Sequence, residues 1–175
     1  MLLFADESSV QLLANVVHTY APRGQTPTLE WWKKSQKVNA ISAISPDGEL
    51  FYLTRDNRFK SMGIVHFLKY LVRQTRRKII LVWDGAKIHF AEAVKKFLRT
   101  LKPGRLQLVK LPAHSPELNP DEQVWGYLKC ESNLKNFAAK NFTELRQMVT
   151  EQFQLLAKNP DRIKKMFHHP DCHFY

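Results

Sequence analysis

The chain has 175 residues and carries 27 Lys and Arg against 16 Asp and Glu, a formal charge of +11. That length suits one domain, and a 44% hydrophobic share with 11% aromatics supports a packed core, which excludes a disordered chain. No fully apolar run exceeds five residues, so a transmembrane helix is excluded, and Met1-Leu2-Leu3-Phe4-Ala5 meets Asp6 before a signal-peptide core could form.

In chain order, residues 2–5 form a short apolar run that reads as a buried strand. Residues 20–27 carry two prolines and a glycine and read as a loop. Two strand-like runs, 38–44 and 50–54, flank Ser45-Pro46-Asp47-Gly48, whose turn chemistry makes them a hairpin. Ile64, Phe67, Leu68, Leu71 and Val72 recur at helical spacing. Residues 78–83 are a continuous β-branched run, the pattern of a central strand covered on both faces. A second amphipathic helix shows Phe90, Ala93, Val94, Phe97, Leu98 and Leu101 on one side. Residues 106–111 are a further strand, and helical patterns start at Asn119 and near Thr143. A hairpin followed by βαβ crossovers implies an α/β fold, a mixed sheet with helices on its faces. Ferredoxin-like and Rossmann orders fit this succession less well, and no glycine-rich phosphate loop calls for a nucleotide cofactor.

The charge balance favours a polyanion, nucleic acid before membrane, because no lipid-binding amphipathic segment accompanies it. Two cysteines, Cys130 and Cys172, are too few for a disulfide framework and suit a reducing compartment.

The placement of acids is the informative feature. Asp6 follows the first apolar run, and Asp84 follows the central one, where open α/β sheets build their sites. Asp84 also reads as a turn or helix cap before Ala86-Lys87-Ile88-His89. Asn119 as N-cap, Pro120 at the first helical position and Asp121 and Glu122 after it make a strong helix start, in which the acids favour the dipole. Helix capping accounts for the acids but not for the whole segment Ser115-Pro116-Glu117-Leu118-Asn119-Pro120. Three carboxylates so placed suit two Mg²⁺ ions, hard cations that prefer oxygen and, about 4 Å apart, act on phosphate.

Phe4-Ala5-Asp6-Glu7-Ser8-Ser9, Ala21-Pro22-Arg23-Gly24, Val82-Trp83-Asp84-Gly85-Ala86-Lys87-Ile88-His89 and Ser115-Pro116-Glu117-Leu118-Asn119-Pro120-Asp121-Glu122 occur in that order. Together they resemble the DDE catalytic domain of mariner-like transposases, in the bacterial insertion-sequence branch, over nearly the whole chain. The resemblance implies a ribonuclease H-like fold over residues 1–160, with 161–175 as a C-terminal tail. It assigns Asp6, Asp84 and Glu122 as the catalytic, metal-binding acids, and the 37 residues between Asp84 and Glu122 are close to the family's spacing. Asp121 stands where relatives carry an apolar residue and is the alternative third ligand. The implied cofactors are two Mg²⁺, with Mn²⁺ as substitute. The implied chemistry is phosphodiester hydrolysis at a transposon end, then attack of the released 3′ hydroxyl on target DNA. The implied partners are terminal inverted repeats and target DNA, a homodimer in the active complex, and no membrane. The implied location is the bacterial cytoplasm, on the nucleoid when DNA is bound.

Weaker candidates surround these acids. Arg23 clasps a phosphate or forms a loop salt bridge; Lys87 and His89 touch DNA or pack the helix start. Lys129 matches a lysine often found in the family, within reach of a phosphate. Glu7 points away from Asp6 in a strand and suits a supporting or surface place. Trp125 suits core packing. The run His168-His169-Pro170-Asp171-Cys172-His173 fits no standard zinc spacing and reads as solvated.

Relatives carry helix-turn-helix modules ahead of the catalytic domain, whereas Met1 here stands immediately before the first strand. The expectation is therefore a catalytic domain working with a helix-turn-helix segment encoded upstream. The alternative is a catalytically idle DNA-binding or dimerising remnant. A plain ribonuclease H-type nuclease shares the fold but leaves the Ser-Pro-Glu-Leu-Asn-Pro segment unexplained.

Overall fold

The structure is a computed structural model that describes residues 1–11, 36–113, 115–132, 134, 139–170 and 172. The expected loop at 20–27, with Arg23, lies outside the described residues. Five strands form one mixed sheet: β1 (Leu2–Gln11), β2 (Lys37–Ile44), β3 (Leu50–Arg55), β4 (Ile79–Trp83) and β5 (Leu106–Lys110). Their order is β3-β2-β1-β4-β5, antiparallel between β1, β2 and β3 and parallel between β1, β4 and β5. This is the mixed α/β sheet that the order of apolar runs implies.

Pleat alternation divides the core in two. Leu3, Ala5, Leu81 and Trp83 face α1 (Ser61–Gln74) and α2 (Glu92–Arg99), where Ile64, Phe67, Leu68, Leu71 and Val94 are fully buried. Phe4 and Val82 face the other way, under α3 (Glu122–Gly126), α4 (Phe142–Ala157) and α5 (Pro160–Met166). On that side Tyr52 stacks on Phe153 at 4.5 Å, and Trp125 meets Phe153 edge-on at 5.9 Å. Each such side chain contributes about 1.5–3 kcal/mol by leaving water. The cover over β4 is incomplete, because Ile80 is 44% exposed, so the expectation of burial on both faces holds for four of its five residues.

The hairpin forms as its turn residues require. Gly48 has φ 89°, and a Cβ there would lie 2.7 Å from the Pro160 carbonyl oxygen, so both conformation and the close approach of α5 demand glycine. Three sequence expectations need correction. The first strand does not stop at Ala5: the polar run Asp6 to Ser9 continues it, because β2 supplies an antiparallel ladder out to Gln11. The second amphipathic helix starts at Glu92, after a 3-10 turn over Lys87–Phe90. Residues 161–167 are not a detached tail. Asn159 caps α5 by accepting from the Arg162 N–H at 3.1 Å, and Ile163, Met166 and Phe167 enter the core, with Phe167 edge-on to Phe4 at 5.7 Å. His168, His169 and Pro170 are exposed, whereas Cys172 is buried rather than solvated.

Candidate active site

Register brings the first two acids level. Phe4 pairs with Val82 in the parallel β1–β4 ladder, so two residues on, Asp6 stands beside Asp84 past the end of β4. The third acid arrives on α3. Asn119 takes an extended conformation, and its Oδ1 accepts from the Asp121 N–H at 3.2 Å; α3 itself starts later than expected, at Glu122, with Asp121 and not Asn119 at its N-cap. Its Nδ2 donates to the Ala5 carbonyl at 3.1 Å, tying the start of α3 to the residue before Asp6. Asp6, Asp84 and Glu122 thus line one cleft of about 360 Å³, with Gly85, Lys110, Ser115 and Asn119 on its walls. Among the described residues no three such groups are already drawn in to coordination distance; the acids face one another across the cleft.

Each acid is held by other groups. Trp125 Nε1 donates to Asp6 Oδ2 at 2.7 Å, so this indole both packs the core and orients a carboxylate. Asp84 Oδ1 accepts from the Ala86 N–H at 3.0 Å, so Asp84 closes the turn as well as lining the cleft. Lys129 Nζ donates to Ser8 Oγ at 2.6 Å, and its charge favours the ionised form of Glu122.

The electrostatics are those of crowded acids, which Lys129 offsets only in part. Burial, then the charge of Glu122, and to a lesser degree that of Asp84, raise the Asp6 pKa to about 7. Burial also raises Glu122, with Asp84 adding to the rise and Lys129 opposing it. Asp121 differs in kind. It is fully buried, accepts from Ser42 Oγ at 2.7 Å, and is pushed well above the carboxylate range by desolvation. Its bond to Ser42 ties the start of α3 to β2, and it does not line the cleft.

Among the weaker candidates, Lys87 is exposed on the 3-10 turn after Asp84, and Lys129 turns toward Ser8 and Glu122. His89 is corrected: it is 2% exposed and its ring nitrogens face Glu7 and Asp84, so it offers nothing to DNA. Glu7 does point away from Asp6, into that histidine. Lys110 was not anticipated; ending β5 beside Asp84, it shows its place only once β4 and β5 pair.

The model of the family described as DDE superfamily endonuclease matches residues 1–146. The chain belongs to that family. The DDE assignment covers β1 through the first turn of α4, the part of the chain that carries all three acids. A curated relative is the Transposable element Tc3 transposase of Caenorhabditis elegans, 28% identical over 91 residues, or 52% of this chain and 27% of that protein. Among solved structures, the mariner Mos1 paired end complex with Mg aligns over 99% of this chain and 56% of its own, at 18% identity and TM-score 0.68. The Mos1 catalytic domain alone aligns over 99% and 84%, at 14% identity and TM-score 0.54. These likenesses establish the ribonuclease H-like fold, and the chain spans 56% of the Mos1 chain in the paired end complex and 27% of the Tc3 transposase.

Proposed function

We propose that this chain is the catalytic domain of a transposase that cleaves DNA phosphodiester bonds at transposon ends and joins the released 3′ hydroxyl to target DNA. The observation that carries the reading is the cleft lined by Asp6, Asp84 and Glu122, in which the charges of Glu122 and Asp84 raise the proton affinity of Asp6. Three hard oxygen donors with excess negative charge fit divalent cations, two Mg²⁺ or Mn²⁺ in their place. Such ions, when bound, supply Lewis acidity and offset charge on the phosphate. Structures of Mos1 with Mg and with Mn, and of its strand transfer complex, support the same reading.

The chain's own residues do the rest. Trp125 fixes Asp6, the Ala86 N–H fixes Asp84, and the Asn119 bridge sets α3 so that Glu122 reaches the cleft. Lys110 brings a positive charge to the cleft wall, and exposed Lys87, Lys95 and Lys96 extend that charge along the α2 side. Phosphate contacts of this kind bind DNA without regard to sequence and weaken with salt. Recognition of inverted repeats by a helix-turn-helix segment beyond these residues, pairing as a homodimer, and a cytoplasmic, nucleoid-bound location belong to the same proposal.

The test is nicking of supercoiled plasmid by the purified chain with Mg²⁺ or Mn²⁺. The wild type should cut only with metal, and Asp84→Asn and Glu122→Gln should not cut. Binding by all three proteins without metal-dependent cutting, even when the helix-turn-helix segment is restored, would instead make the chain an idle DNA-binding remnant.

A further inference from the structure

Glu7 and His89 stand outside the cleft, yet they reach one of its acids from behind. Alternation along β1 sends Asp6 to one face of the sheet and Glu7 to the other. On that second face the His89 ring stacks on the indole of Trp83, with centroids 3.9 Å apart and planes 22° from parallel. Its Nε2 is hydrogen-bonded to Glu7 Oε1 at 2.8 Å, and its Nδ1 lies 2.7 Å from Asp84 Oδ1. The same Asp84 oxygen accepts from the Ala86 N–H. Among the described residues Oδ1 is therefore the engaged oxygen of Asp84, and Oδ2 has no partner.

A carboxylate on a half-exposed side chain ordinarily rotates about its last torsion. Here the histidine against Oδ1 removes that freedom, and the histidine itself cannot turn, because Glu7 holds its far nitrogen and Trp83 its face. We propose that His89, set by Glu7 and Trp83, is a positioning residue that fixes the Asp84 carboxylate and leaves Oδ2 for a divalent cation shared with Asp6 and Glu122. The proposal rests on the cation-site reading above. It assigns Glu7 a task that its place beside Asp6 does not suggest: it orients the second acid, 77 positions further along the chain.

The test is Mn²⁺ binding to the full chain, followed by the electron paramagnetic resonance signal of free Mn²⁺, with no DNA present. Outer residues that orient metal ligands typically change affinity by about 10–100-fold when removed. His89→Phe keeps a ring on Trp83 but has no nitrogen, and it should weaken binding by at least about tenfold. His89→Asn places an amide nitrogen near the Nδ1 position and should recover most of that loss, whereas His89→Gln, whose amide sits nearer Nε2, should not. Far-UV circular dichroism and thermal midpoints in EDTA identify the variants that fold. If His89→Phe fails to fold, Glu7→Ala, which removes the hydrogen bond to Nε2, takes its place, with weakened binding again expected. Wild-type affinity in every folded variant, alongside weak binding by Asp84→Asn, would overturn the positioning role and leave the cation site standing. Equal binding by wild type and Asp84→Asn, or none by wild type, would overturn both.

Discussion

Replacing Asp6 by Asn should make the metal-free protein more stable and the metal-loaded protein less so. Asp6 titrates near 7 in the fold against 3.8 as its ordinary value, so between those limits the folded chain holds a proton that the unfolded chain has released. Stability therefore falls as pH rises from about 4 to 7. At 1.36 kcal/mol per pH unit the ceiling on that loss is about 4 kcal/mol. Partial exposure and screening reduce it, and about 1–3 kcal/mol is the working magnitude. An asparagine oxygen still accepts from Trp125, so Asp6→Asn removes the charge and keeps the bond. In EDTA at pH 8 its thermal midpoint should exceed that of wild type by roughly 2–12 °C, at about 2–4 °C per kcal/mol for a chain of this size. At pH 4, close to the ordinary value of the carboxyl, little of that loss has begun and the difference should shrink to within about 2 °C. Mn²⁺ at a hundred times its dissociation constant should then stabilise wild type by about 2.7 kcal/mol and the variant by much less. Thermal unfolding by circular dichroism reads all of this. A variant less stable than wild type in EDTA at pH 8, or equal Mn²⁺ shifts in both, would refute the reasoning.

Asp121→Asn should change stability by less than about 1 kcal/mol and leave plasmid nicking intact, since burial favours the uncharged form of the group it replaces; Asp121→Ala should cost about 1–3 kcal/mol by leaving Ser42 unpaired. Both are read by urea unfolding. Trp125→Phe keeps the ring against Phe153 but loses the bond to Asp6, worth about 1.5–3 kcal/mol to a charged group, so nicking should slow about 10–100-fold while the fold persists. Ile163→Ala should cost about 2–5 kcal/mol in urea unfolding, because that side chain is fully buried. An unchanged midpoint would mean that the segment beyond residue 160 is not part of the domain.

What was legible in the sequence was local. The run Ile79 to Trp83, the Pro-Asp-Gly turn and the spacing of Ile64, Phe67, Leu68 and Leu71 each bury an apolar pattern within one element, so periodicity alone locates them. The polar half of β1 was hidden because its strand conformation comes from the β2 ladder and not from its own side chains. Helix α5 did carry a local signal, Asn159-Pro160-Asp161, the same cap grammar as Asn119-Pro120-Asp121, but a short segment near the chain end reads as a tail. In the candidate site, the order of motifs singled out Asp6, Asp84 and Glu122, and the fold brings the three to one cleft. The supports were out of reach: the Trp125, His89 and Asn119 partners lie 119, 82 and 114 residues away along the chain, and only packing brings them together.

The most direct measurement is anomalous diffraction at the manganese edge from crystals of the full chain soaked in Mn²⁺. The account predicts ion density bounded by Asp6, Asp84 and Glu122, and none there in Asp84→Asn. Ordered Mn²⁺ bound only elsewhere, or held by Asp121 in place of Glu122, would contradict it.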